Sequence, residues 1–502
     1  MPLENLLQKP WTSESLSKAY TSSLFHLSPA PEYANGEVVL ASLYRRIGSY
    51  GPAEQKVPSL GRDFERRIKR GKRVQSEYPI IGLSAEDWYA LVSGPLRSPK
   101  QPNQAASRYL QISPIVPDAA IYSLSARQSA NSWDPGKLIA KMIMLGCESI
   151  EDAQSLWTDL FHALEVTDDD ELWAKFLDLE FRSWRSLEQK DFFSNPSQLD
   201  ESDYFDFHET IDFPAKQFVA DLSALIQLKM YLTRRQWVSM LESLLRLGSA
   251  SHVFWIASLN MHLFEAFKKI MSHQDPSKVK REFLEKVSKT RFISYGQYSA
   301  RSIKSYSTGY LKSRVGINLL VHLINEKNGR ESVDFRNLSQ IIDDVVNGQS
   351  ADVIGRFWVE YQKIIESDSR VVQGKKGAAA NISEFLRHVL GKRQTSETGL
   401  ASYDQGYYLA KRGGGAWEVS MGPVALLTLV HACTHGKSGS SSNIDDLFMH
   451  ISRYGIELTI QDLTGSALER TLRSLGVVVD SPDAEGGLVL LSPFESLLRE
   501  NN

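Results

Sequence analysis

The chain has 502 residues, of which 42% are hydrophobic and 23% charged, fractions that exclude a disordered or fibrous class. Lys and Arg total 57 against 60 Asp and Glu, and the net charge of −3 excludes a uniformly basic nucleic-acid coat while leaving local patches open. At roughly 100–200 residues per domain the length leads to an expectation of about three domains.

Only two cysteines occur, Cys147 and Cys433, which excludes a disulfide scaffold and points to a reduced, cytoplasmic compartment. The start, Met1 to Asn5, lacks the basic-then-apolar pattern of a secretory signal. The most apolar run, 423–433, is too short to span a bilayer, so no membrane contact is expected.

Residues 1–135 read as an irregular, Pro-rich region with short helices, because each proline removes a donor and clashes with the preceding turn. Ser84 with Asp87 three residues on predicts a short helix to Val92. Residues 97–104 read as a loop. Within 62–73 lies a first basic run: Arg62, Arg66, Arg67, Lys69, Arg70, Lys72 and Arg73 against Asp63 and Glu65.

Residues 136–395 carry the 3.6-residue apolar period of helices. Leu138, Ile139, Met142, Ile143 and Leu145 share a face, with Gly146 as the stop. Leu156, Leu160, Phe161 and Leu164 repeat the spacing, as do Leu172, Phe176, Leu177 and Leu179. One long segment is expected over 218–247, separated by Gly248 from an all-round apolar segment at 253–271. Further helices are expected at 315–325, 335–346, 351–366 and 382–390.

Residues 400–502 change character. Gly413, Gly414 and Gly415 between 406–412 and 416–420 predict a hairpin, and Gly tolerates the turn's positive φ. Pro423 opens an apolar helix and Gly436 closes it. Asn443 caps a second helix with Asp445 and Asp446 in its first turn. A third helix is expected over 464–475, followed by strands at 477–480 and 488–491. Three helices and a two-stranded wing are the order of a winged helix. The expected fold class is therefore mainly α, a multidomain helical protein with a C-terminal winged-helix domain of small β content.

No catalytic signature is complete. Lys437 and Ser438 follow Gly436 as in a phosphate-binding loop, but His431 stands where its first glycine belongs. No nucleophile elbow, metalloprotease or kinase set occurs. His431, Cys433 and His435 suggest a metal, but a cysteine two residues from each histidine faces elsewhere on a helix, and a fourth ligand such as His450 has to come from afar. The expectation is no metal site, no cofactor and no assigned catalytic residue.

Charge is instead sorted along the chain. Residues 165–212 hold 15 acids and four bases, about −11. Within them Asp200, Asp203, Tyr204, Phe205, Asp206 and Phe207 combine carboxylates with rings, a composition suited to docking a basic partner. Residues 289–314 hold Lys289, Arg291, Arg301, Lys304, Lys312 and Arg314 with no acid, interleaved with Tyr295, Tyr298, Tyr306 and Tyr310. Bases attract phosphates and aromatics stack on exposed bases, which makes this the nucleic-acid candidate. In the third C-terminal helix Arg470 and Arg473 are the DNA-facing candidates, but the wing's Asp480, Asp483 and Glu485 repel phosphates, so protein contact is preferred there.

The leading expectation is a non-catalytic subunit of a larger cytosolic multiprotein assembly, docking proteins and in addition, as an open option, nucleic acid. The alternatives are a DNA-binding regulator or DNA-processing accessory factor, extended without support from any residue to prokaryotic antiviral (antiphage) defence, and a metal-dependent nuclease using Asp203, Asp206, His208 or Glu209.

Overall fold

The computed structural model describes residues 34–48, 87, 114–123, 134–185, 189–201, 204–207, 212–289, 291–330, 337–367, 378–393, 404–412, 415–436, 442–480 and 488–494. The basic run at 62–73, the loop at 97–104, the helix at 84–92 apart from Asp87, and Gly413 and Gly414 lie outside the described residues, as do Asp203, His208 and Glu209.

The described chain is mainly helical. In order come α1 (Gly36–Ile47), α2 (Ala119–Tyr122), α3 (Pro135–Gly146), α4 (Ile150–Leu164), α5 (Leu172–Arg182), α6 (Pro214–Gln227), a 3-10 turn (Lys229–Tyr231), α7 (Arg234–Met271) and α8 (Pro276–Ser288). Next are β1 (Ile293–Ser294), α9 (Ala300–Lys327), α10 (Leu338–Gly348), α11 (Ala351–Ser367) and α12 (Ala378–Leu390). The last part holds β2 (Leu409–Arg412), β3 (Ala416–Val419), α13 (Pro423–Thr434), β4 (Ser442–Asn443), α14 (Ile444–Arg453), β5 (Ile456–Glu457), α15 (Ile460–Leu463), α16 (Ala467–Ser474), β6 (Val478–Asp480) and β7 (Leu488–Leu490). Among the described residues, no helix is long and apolar enough to cross a membrane.

The axis of the fold is α7, whose 38 residues extend about 57 Å at 1.5 Å per residue. It is buried from Trp237 to Met271 on nearly every side, and α1, α3, α6, α8, α9, α12 and α13 pack around it. Two boundaries differ from the sequence expectation. The segment at 218–247 is not one helix: α6 ends at Gln227, and α7 starts anew where the Thr233 hydroxyl and Gln236 form a reciprocal cap. Conversely, Gly248 does not interrupt α7. A glycine costs a helix interior only about 1 kcal/mol, and here the missing side chain admits the Phe218 ring, which a Cβ would meet at 2.4 Å. The Gly248→Ala variant is therefore expected to lose about 1–3 kcal/mol of stability in denaturant titration, although alanine is the better helix former.

The basic stretch also folds differently from expectation. Helix α9 begins at Ala300, fifteen residues before the expected start, because Ile303, Ser307, Tyr310, Leu311 and Arg314 supply a buried face at helical spacing. The N-terminal helix α1, which composition did not single out, is buried almost throughout and capped by Asn35, whose side chain accepts the Val38 N–H at 3.0 Å.

Buried arginines join elements distant in sequence. Arg234 is fully buried and donates to the carbonyls of Ile115 at 2.7 Å and Glu165 at 2.8 Å and to Asp170 at 3.3 Å. Arg246, from the middle of α7, donates to the carbonyls of Val389 at 2.7 Å and Gly391 at 2.9 Å and to the Asp404 carboxylate at 2.7 and 3.2 Å. Arg393 completes that cluster through Glu37, at 2.7 Å, and Glu242. Three carboxylates thus oppose two guanidiniums, which is how buried charges persist away from water.

The last part is tied to this body rather than appended to it. Strand β1 pairs in parallel with β5, Ile293 opposite Ile456. Asp221 of α6 accepts from His450 Nε2 at 2.9 Å and from the Tyr454 hydroxyl at 2.7 Å, with all three residues buried. The three-stranded antiparallel sheet has the order β4-β7-β6, with Asn443 opposite Val489 and Val479 opposite Val489. The glycine hairpin forms as β2 and β3, with Lys411 opposite Trp417 and Gly415 at φ +127.

Candidate partner-binding surfaces

Three of the fifteen acids in 165–212 are consumed by the fold. Asp170 takes Lys229 at 2.8 Å and Arg234, Asp178 takes Arg182 at 2.7 Å, and Glu180 is fully buried. Burial pushes the Asp178 carboxyl up to about 6 despite Arg182. The expected aromatic docking strip is internal at one ring: Phe207 is buried and packs on Phe205, Phe213 and Trp255, while Tyr204, Phe205 and Asp206 are half-buried and Asp200 is exposed. Tyr204 donates to the Glu148 carbonyl at 3.3 Å, and Asp206 bridges to Asn337. Phe207 is therefore a core anchor and not a docking residue.

What remains on the surface is a groove of about 460 Å³ between α4 and residues 198–201. Glu151, Asp159 and Glu201 line it with Gln154 and Gln198, over an apolar floor of Met144, Ile150 and Leu199. Among the described residues of this lining there is no lysine or arginine, and the neighbouring Asp200 is exposed. The geometry follows from the local fold. Ser149 caps α4, placing Glu151 and Asp152 in its dipole-favoured first turn. The Gln154 side chain then accepts the Leu199 N–H at 3.1 Å and holds the opposite wall. Leu172 and Met230 are 79% and 74% exposed, and their neighbours Asp170 and Lys229 pair at 2.8 Å.

The basic residues of 289–314 divide into two sets. Tyr310 is fully buried and Arg314 is 3% exposed, so neither faces a ligand. Tyr306 packs edge-on against Phe254 and Phe292 and donates to the Arg291 carbonyl at 3.1 Å. Tyr295 is half-buried, and Lys312 is partly covered. Exposed are Lys289, paired with Glu285 at 2.9 Å, and Arg291, Tyr298, Arg301 and Lys304. A helical face thus splits what appears continuous in sequence.

Arg473 on α16 is held by Asp480 at 2.7 and 3.2 Å and by Glu469 at 2.9 Å. Two carboxylates around one guanidinium leave a local negative balance. Arg470 is exposed and donates to the Gly465 carbonyl at 3.2 Å.

The His431 and His435 rings lie 5.5 Å apart, centre to centre, but the further ligands a metal needs do not join them among the described residues. His431 is buried with Nε2 at 3.3 Å from the Ala224 carbonyl, and burial pushes it down to about 4, so it is neutral near pH 7. Cys433 is buried, and His450 is committed to Asp221. Burial pushes the Cys147 thiol up to about 11, where little thiolate is present. Among the described residues, no three His, Cys, Asp or Glu gather as a metal site needs.

Sequence reasoning missed the acid-walled groove, because α4 and residues 198–201 meet only in three dimensions. The acid count of the stretch was its one signal. No protein-family model matches the chain, and no curated protein matches it as a relative.

Proposed function

We propose that this chain is a non-catalytic subunit of a multiprotein assembly and that the groove between α4 and residues 198–201 docks a basic segment of a partner protein. The observation that carries this reading is the groove itself. Three carboxylates wall it, apolar side chains floor it, and among the described residues no base lines it. Carboxylates unmatched from their own chain attract a cationic segment, and the floor offers a place for an apolar anchor.

The C-terminal part is read as a winged helix used for protein contact. Supporting this are the order α13, β4, α14, β5, α15, α16, β6, β7, in which β5 pairs outside with β1, and the sheet order β4-β7-β6. The carboxylates around Arg473 disfavour a third helix that reads DNA, since a phosphate has to displace Asp480 and Glu469 first.

The test is affinity purification of the native protein beside the Glu151→Lys, Asp159→Lys, Glu201→Lys triple variant. The expected result is a stoichiometric protein partner with the wild type, depleted at least tenfold with the variant at unchanged circular dichroism. A lone monomer that recruits nothing, or a partner retained by the variant, removes the reading.

A further inference from the structure

The exposed remainder of the basic stretch is not an isolated strip. Residues 296–299 run beside the β2–β3 hairpin: the Gly296 N–H donates to the Val419 carbonyl at 3.0 Å and the Ser299 N–H to the Trp417 carbonyl at 3.2 Å. Tyr298 bridges to Glu418. These bonds set Tyr298, at 67% exposure, on a firm backbone next to the hairpin. On the hairpin, Lys411 and Arg412 are exposed, with the Lys411 ammonium 5.2 Å from the Trp417 ring centre. Following Ser299, the first turns of α9 present Arg301 and Lys304 to solvent.

Helix α12 borders the same place. The Ser383 hydroxyl donates to Ser307 at 3.0 Å, so α12 lies along α9, and burial, with the charges of Arg387 and Lys411 adding to it, pushes His388 on α12 down to about 4. Arg387 joins this border. The acids nearby are fewer than the bases. Glu418 pairs with Arg412 at 3.5 Å, Glu384 lies 3.9 Å from His388, which burial keeps neutral, and Asp462 and Glu457 stand near Tyr295 and Ser294. The balance is positive in a chain whose total is −3.

We infer that single-stranded nucleic acid crosses this composite surface, its phosphates on Arg301, Lys304, Lys411 and Arg412 and one base stacked on Tyr298. A duplex hides its base faces and leaves an exposed tyrosine without a role, whereas a single strand uses both backbone charge and ring. The inference does not depend on the acid-walled groove holding a protein.

The experiment is fluorescence anisotropy of the full chain with labelled oligo-dT and oligo-rU of about 20 nucleotides, long enough to cover one such site, across a salt series. The two arms separate DNA from RNA. Binding is expected to weaken with salt at a log–log slope of about −0.7 per phosphate contact, thus about −2 to −3 for four partly exposed bases. Lys411→Glu with Arg412→Glu, and Arg301→Glu with Lys304→Glu, each weaken it tenfold or more. Tyr298→Ala weakens it about tenfold with little change in slope, and Tyr298→Phe restores it. Lys175→Glu, on α5, is the control and leaves binding intact. Three results overturn the inference: no binding at low salt, binding that survives the hairpin reversal, or a preference for duplex. A fourth is equal binding of an acidic peptide that Tyr298→Ala does not affect, which assigns the surface to an acidic protein instead.

Discussion

Replacing Arg246 by alanine lowers the unfolding free energy by about 3–5 kcal/mol, the largest single effect expected in this chain, because it leaves a buried carboxylate without its partner. Asp404 loses a two-oxygen contact at 2.7 and 3.2 Å, and the carbonyls of Val389 and Gly391 lose their donor. The measurement is a guanidinium or urea titration followed by far-UV circular dichroism. A loss below about 1 kcal/mol, the range of surface ion pairs, contradicts the assignment of Arg246 as a fastener of the fold.

A pH dependence accompanies it. Burial pushes the Asp404 carboxyl up, but Arg246 and Arg393 more than offset that and hold it at about 2, below its usual value of 3.8. A carboxyl depressed by folding stabilises the native state fully above its unfolded pKa, and that contribution is lost as pH falls through the folded one. The window is therefore from about pH 4 down to pH 2, and the contribution is about 2 kcal/mol at 1.36 kcal/mol per unit. Asp404→Asn removes this part of the acid limb while keeping shape and partial hydrogen bonding.

The second large effect is expected at Asp221. Its carboxylate accepts from His450 at 2.9 Å, from Tyr454 at 2.7 Å and from Gln217 at 2.6 Å. Burial and this carboxylate push the Tyr454 phenol well above its ordinary range, so it stays a donor at any working pH. Asp221→Ala leaves buried donors unmet and costs about 3 kcal/mol, while Tyr454→Phe costs about 1–2 kcal/mol. The two losses are not additive, since they share one acceptor. Hydrogen exchange locates the effect. Amides of α14 and its neighbours through 480 are expected to exchange much faster in Asp221→Ala, with those of α7 changed far less. Uniform acceleration, or none, shows that the Asp221 contacts do not hold the C-terminal part to the body.

Local chemistry made many elements readable. Pro423 opens a helix, Asn443 caps one, and the strands on either side of the glycine run pair as a hairpin. These are signals within a few residues, where dihedral preference and capping dominate. The Ser- and Tyr-rich start of α9 was obscured because its helix formation rests on burial of Ile303, Tyr310 and Leu311 against α7 and α12, not on propensity. Tyr310 and Arg314 illustrate the same limit for function, since composition does not say which side of a helix meets solvent. The −11 stretch overstated its surface charge for a related reason. Asp170, Asp178 and Glu180 are interior, paired with bases or enclosed by the core.

The sequence by itself determined that the chain is mainly helical, that no long apolar span crosses a membrane among the described helices, and that charge is sorted into acidic and basic segments. Those properties are sums over neighbouring residues. Only the tertiary structure decided which charges remain available: Arg246 with Asp404, 158 positions apart, became interior fasteners, while Tyr298 came to lie beside Glu418 of the hairpin that carries Lys411 and Arg412. The reason is that desolvation depends on what packs against a group, and the elements that pack on α7 come from both ends of the chain.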